Sequence, residues 1–113
     1  MKPQRIQRKR AKGWRMPENT VYVGRPSKWG NPFKINTRAY VDIGGEMGIS
    51  MNIVNLESSL EFYRIYIKRQ IAKGELDISE LKGKNLCCWC GLDSPCHADI
   101  LLELANESEA KDE

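Results

Sequence analysis

Residues 85–106, N-L-C-C-W-C-G-L-D-S-P-C-H-A-D-I-L-L-E-L-A-N, constrain the fold of this chain more than any other stretch. All four cysteines and the single histidine lie between Cys87 and His97. The run 86–90 is short and apolar, and reads as a buried strand ended by Gly91. Ser94 and Pro95 then read as the cap and first position of a helix, because a hydroxyl accepts from a free backbone N–H and proline has none to lose. Ala98, Leu101, Leu104 and Ala105 recur at helical spacing, flanked by Ile100 and Leu102. This places Cys96 and His97 in a first helical turn, where free N–H groups and the helix dipole favour a thiolate or an anion. On a strand, Cys88 and Cys90 point to one face and Cys87 and Trp89 to the other.

The rest of the chain punctuates clearly. T-V-Y-V at 20–23 is β-branched and aromatic, a strand closed by Gly24. R-P-S-K-W-G-N-P-F at 25–33 is a loop shaped by two prolines and a glycine. Residues 39–43 and 47–54 read as strands around a Gly44-Gly45 turn, the second with Met47, Ile49, Met51 and Ile53 on one face. Residues 58–73 form the clearest helix, with a Ser58–Glu61 capping box and an apolar stripe of Leu60, Tyr63, Ile67 and Ile71 widened by Phe62 and Tyr66. Gly74 stands where a helix C-cap needs it. Residues 77–82 read as a short helical turn.

Length and composition bound the class. One hundred and thirteen residues, 41% of them hydrophobic, suit one folded domain. No apolar run approaches the ~20 residues of a membrane span, which excludes a helical membrane protein. With no export signal in view, four cysteines point to reduced thiols or metal ligands and to a cytoplasmic protein. The net charge of +3 is unevenly spread. Lys2, Arg5, Arg8, Lys9, Arg10, Lys12 and Arg15 all precede the first acid, Glu18, whereas 103–113 is acidic apart from Lys111. The expected organisation is a basic flexible arm at 1–15, a single α/β domain at 16–106 and an acidic tail at 107–113. The arm reads either as a phosphate tracker or as a solvated tail.

The expected fold is α/β: a small Rossmann-like sheet with parallel core strands, an added β-hairpin and two main helices. Strand 20–23, helix 58–73 and strand 86–90 make a βαβ unit with parallel strands. Ligands of open α/β sheets bind beyond the carboxyl ends of the strands. Two unusual loops, 24–33 and 90–97, follow such ends. Their convergence predicts a crevice for a nucleotide or nucleic-acid phosphate. Gly24, Arg25, Lys28, Trp29, Gly30 and Asn31 are its ligand-binding candidates: cations for charge, an indole for stacking, an amide for readout. The competing reading packs Trp29 and Phe33 into the core.

Three readings of the cysteine cluster stay open. Cys88, Cys90, Cys96 and His97 form a donor set for zinc, although C-x-C and an adjacent C-H pair are unlike the usual knuckle spacing. Cys96 and His97 are also candidate catalytic residues, a thiolate beside an acid or base. Buried packing is the third reading, strongest for Cys87, Cys88 and Cys90. The rival to phosphate binding is therefore a zinc-stabilised interaction module that takes nucleic acid or a host protein.

The blocks G-R-P-S-K-W-G-N-P-F and L-K-G-K-N-L-C-C-W-C-G-L-D-S-P-C-H-A-D-I-L-L-E-L together resemble domain-of-unknown-function family 4326. The positions that carry the likeness are Gly24, Arg25, Trp29, Gly30, Asn31, Pro32, Cys88, Cys90, Cys96 and His97. It covers most of residues 20–105, and 35–55 departs from the shorter connection expected. Such proteins are small and common in bacteriophages and bacteria, which would place the chain in a host cytoplasm. The resemblance implies no established activity.

Overall fold

The apolar run around Leu86 is the middle strand of a parallel sheet. A computed structural model describes residues 3–111. Its elements are β1 (Arg5–Gln7), β2 (Thr20–Tyr22), β3 (Thr37–Gly44), β4 (Met47–Ile53), α1 (Leu56–Ala72), a 3-10 turn (Ile78–Leu81), β5 (Asn85–Cys88) and α2 (His97–Lys111). The chain divides into two compact units, residues 1–30 with 78–113, and residues 31–77. Residues 31–77 are contiguous, and a hairpin followed by a helix satisfies most of its packing locally.

In the first unit the sheet order is β1-β5-β2. Both pairings are parallel, with Ile6 and Tyr22 each opposite Cys87. The ladder runs on past the strands through Arg8 N–H to Cys88 O at 2.7 Å and Val23 N–H to Cys87 O at 2.8 Å. Leu86, Cys87 and Cys88 are buried, as a middle strand requires on both faces. The helix α2 packs on β5, β1 and the 3-10 turn, with Ala98, Leu101 and Ala105 buried.

The N-terminal arm corrects the sequence reading. Residues 5–7 are an edge strand, not part of a flexible tail. Arg5 explains the docking. Its guanidinium donates to Asp99 Oδ2 at 2.9 Å and to Gly91 O at 2.9 Å, and its side chain is only 8% exposed. At the other end α2 continues to Lys111, so the tail expected at 107–113 is helical as far as that residue. Met1, Lys2, Asp112 and Glu113 lie outside the described residues.

The second unit is a hairpin with α1 packed on both of its strands. Gly44 faces Met47 across the turn, and Gly45 has φ +59. The turn centres on Gly45 and Glu46, one residue later than expected, and a two-residue hairpin turn uses such a left-handed residue. The helix starts two residues before the expected Ser58. Its cap is Asn55, whose side chain accepts from Ser58 N–H at 2.8 Å, while Ser58 Oγ accepts from Asn55 N–H at 3.1 Å. The capping box therefore uses Ser58 as its inner member and does not involve Glu61. Phe62, Tyr63 and Ile67 form the buried face, joined by Ser59. Gly74, φ +79, ends the helix as predicted.

Candidate functional site

Parallel strands share a direction, so the loops leaving β1, β2 and β5 all emerge at one edge of the first sheet. The loop after β5 carries the cysteines. β5 ends at Cys88, so Cys90 lies beyond the strand and not two positions along it. A turn closed by Ser94 N–H to Gly91 O, 3.1 Å, then reverses the chain. The helix begins at His97, two residues later than a start at Pro95. Cys96 is the cap. Its carbonyl accepts from Asp99 N–H at 3.0 Å, and its own N–H donates to Asp99 Oδ2 at 3.1 Å. Its sulfur receives the Ala98 N–H, in the place a serine hydroxyl would fill.

This reversal brings three sulfurs together. Cys96 Sγ is 2.8 Å from Cys90 Sγ and 3.1 Å from Cys88 Sγ. The three lie within 4.8 Å of one another and form a group able to hold a metal ion. All four cysteines are free thiols. Cys87 stands apart on the other face of β5, where burial pushes its thiol up, as expected of a packing residue.

The trio shares its protons unevenly. A hydrogen bond from Cys96 brings Cys88 down to about 6 against the opposing effect of burial. Cys96 is pushed up, first by that same bond and then by burial. Burial raises Cys90. One thiolate among three neighbours is the arrangement expected where mutual repulsion opposes a second charge.

His97 is buried beside this group. Its Nε2 lies 2.7 Å from Val23 O, and its Nδ1 lies 3.5 Å from Cys96 Sγ. A carbonyl can only accept, so Nε2 carries the proton and Nδ1 presents its lone pair towards Cys96 Sγ. Burial holds the imidazole pKa below its usual value, with the Arg25 and Arg5 charges adding in the same direction. The ring is therefore neutral at pH 7.

The loop after β2 reaches the same edge. Tyr22 Oη donates to Arg25 O at 2.6 Å, and a side chain at buried Gly24 would overlap that tyrosine. Arg25 is exposed, and its charge is felt at His97. The remaining candidates have other employment. Lys28 pairs with Glu80 at 2.8 Å and sits 5.5 Å from the centre of the Trp29 ring. Trp29 is 3% exposed, which agrees with the packing reading and gives a base no open face. Gly30 lies against Arg25, whose backbone a β-carbon would meet at 3.2 Å. Asn31 belongs to the second unit and is buried there. Its Nδ2 donates to Ser59 Oγ at 2.9 Å, and its Oδ1 accepts from Phe33 N–H at 2.9 Å. Both bonds stay within residues 31–77. Arg5, which ties Gly91 and Asp99 at the two ends of the cysteine loop, carried no mark in the sequence among seven neighbouring cations.

The sequence model of the domain of unknown function DUF4326 matches residues 6–107, nearly the whole chain. The chain belongs to the DUF4326 family. The match takes in β1 from Ile6 and every residue of the cysteine loop, so the sheet edge and the thiol group both lie inside the family's domain. No match is found among the curated proteins or the solved structures. Among the described residues, no helix of this DUF4326 chain is long and apolar enough to cross a membrane.

Proposed function

We propose that this chain is a zinc-stabilised module in which Cys88, Cys90, Cys96 and His97 hold the metal. The observation that carries the reading is the orientation of His97. A metal-bound imidazole commonly donates its other N–H to a backbone carbonyl, which fixes the tautomer and aims the lone pair. His97 has that arrangement through Val23 O, and its Nδ1 faces the sulfur of Cys96. The donor chemistry agrees, since soft thiolates and a neutral imidazole suit a tetrahedral zinc site. Zn–S bonds of about 2.3 Å set neighbouring sulfurs roughly 3.8 Å apart. The Cys88–Cys96 and Cys90–Cys96 sulfurs would each open by about 1 Å or less. The proposed metal is structural. It would tie the end of β5 to the start of α2 and, through His97, to the end of β2.

Elemental analysis of protein refolded with zinc tests this reading. One zinc per chain is expected, with a melting temperature that rises with free zinc because only the folded state offers the site. Cys90→Ser and Cys96→Ser should each lose the stoichiometric metal. Retention of full stoichiometry by both variants, or none in the parent protein, would overturn the proposal.

A second reading is a phosphate site at the same edge, supported by exposed Arg25 beside His97. Arg25→Ala should then abolish any thermal shift produced by nucleotides. An undiminished shift would remove Arg25 from the reading.

A further inference from the structure

The sheet edge carries a second feature that neither the zinc site nor the Arg25 loop uses. Arg8, Lys9, Arg10, Trp14, Met16 and Trp89 line an open cleft of about 570 Å³. Its position follows from the topology. Arg8–Arg10 leave the carboxyl end of β1, and Trp89 leaves the carboxyl end of β5, the neighbouring parallel strand. This is the end at which open α/β sheets take ligands. The lining holds three cations and two indoles but no acid.

Trp89 is the unusual member. It is 41% exposed although Cys87 and Cys88, just before it, are buried. Two guanidinium groups lie over its ring, Arg8 at 5.2 Å and Arg10 at 4.9 Å from the centroid. Arg8 also lies 4.8 Å from the centre of Tyr22. These contacts hold both arginines beside an aromatic surface while leaving much of the indole accessible. A half-exposed indole with two guanidinium groups over its ring suits a flat ring joined to an anion, because a base stacks on an indole or on a guanidinium plane. A nucleobase attached to its phosphate has that chemistry.

We infer that the Arg8–Lys9–Arg10–Trp14–Trp89 cleft is a binding site for single-stranded nucleic acid, with a base stacked on Trp89 and the backbone phosphates along the three cations. A duplex hides the faces of its bases, whereas a single strand offers them to an aromatic platform without demanding a sequence. The cations follow one another in the chain, as a path along a phosphate backbone needs. None of these residues is a proposed metal ligand. The two proposals therefore fail separately: loss of zinc reports on Cys90 and Cys96, loss of nucleic acid on Trp89 and Arg10.

Fluorescence anisotropy of a short labelled oligothymidylate, titrated with the full chain, tests the inference. The expected log–log salt slope is about −2, from three phosphate contacts at about 0.7 counterion each. Trp89→Ala should weaken binding about tenfold, within the range measured for removing one base-stacking aromatic. Trp89→Phe, which keeps a ring face, should recover most of that loss. Arg10→Gln should weaken binding and flatten the salt slope by roughly 0.7. A duplex of the same length should bind more weakly than the strand, and thymidine monophosphate should compete poorly. Duplex binding as tight as the strand, full competition by the mononucleotide, or equal affinity of Trp89→Ala at an unchanged melting temperature would each overturn the site. If Trp89→Ala does not fold, Trp89→Phe and Arg10→Gln decide: affinity and salt slope unchanged in both would reject it.

Discussion

Arg5→Ala isolates what holds the N-terminal strand. The guanidinium makes two bonds of 2.9 Å, one to Asp99 Oδ2 and one to Gly91 O, from a side chain only 8% exposed. The two contribute unequally. Asp99 is 53% exposed, so water screens its ion pair, and such pairs give about 0.2–1 kcal/mol. The carbonyl of Gly91 is part-buried, and a charged donor to it stabilises by about 1.5–3 kcal/mol. Together the loss is about 2–4 kcal/mol, on the order of 10 °C in melting temperature for a chain of this size. The readout can be confined to the right unit. All three tryptophans, Trp14, Trp29 and Trp89, belong to the first unit, so indole fluorescence follows that unit alone. Urea titration in the presence of chelator, with zinc absent throughout, removes any contribution from metal. Arg5→Lys keeps the charge but not the fork, and should recover about half the loss. Asp99→Asn should cost less than Arg5→Ala, because Gly91 keeps its donor. A cost below about 0.5 kcal/mol for Arg5→Ala, the level of an ordinary surface change, would refute the reasoning and restore the arm as a solvated tail.

Two further predictions concern the second unit. Ser59→Ala should destabilise it by about 2 kcal/mol, because the buried hydroxyl donates to Phe33 O and accepts from Asn31 Nδ2, and both groups lose that partner; a circular-dichroism unfolding curve matching the parent would contradict this. Asp42 is held below its ordinary 3.8, first by the Gly44 N–H and also by Arg69. Its depressed folded value means that its stabilisation is present above about pH 3.8 and fades as pH falls through that lower value. The melting-temperature gap between the parent and Asp42→Asn should therefore narrow in acid, and a gap independent of pH would contradict the assignment.

The elements legible in the sequence were those with a local signal. Alternation from Met47 to Ile53 and helical spacing through Phe62, Tyr63 and Ile67 are properties of one segment, and both elements formed where those signals lie. The parallel pairing of β2 with β5 followed from the chain order of their apolar runs. β1 was not legible. Arg5-Ile6-Gln7 contains one apolar residue, and its strand identity comes from pairing with residues some eighty positions away. The four metal candidates were legible by residue type, but the geometry joining them was not. C-x-C on a straight strand does not bring Cys90 to Cys96; the bend after Cys88 and the turn at Gly91 do. Trp29 and Asn31 were legible by type, but their burial was not. Their chemistry suits a ligand, but burial decides whether a side chain is offered, and burial has no local signature.

The middle position of β5 has a consequence for how the chain is made. β1 and β2 leave the ribosome well before β5, which begins at Asn85, yet each pairs with it. Until then neither has its sheet partner, and closing those pairings spans most of the chain. Residues 31–77 face no such wait, since hairpin and helix are complete as soon as they emerge. Synthesis should therefore finish the later-numbered unit first and leave the opening strands waiting with unpaired edges. A nascent chain stalled before residue 85 would expose those edges, the state in which strand-bearing proteins are captured by chaperones or by each other.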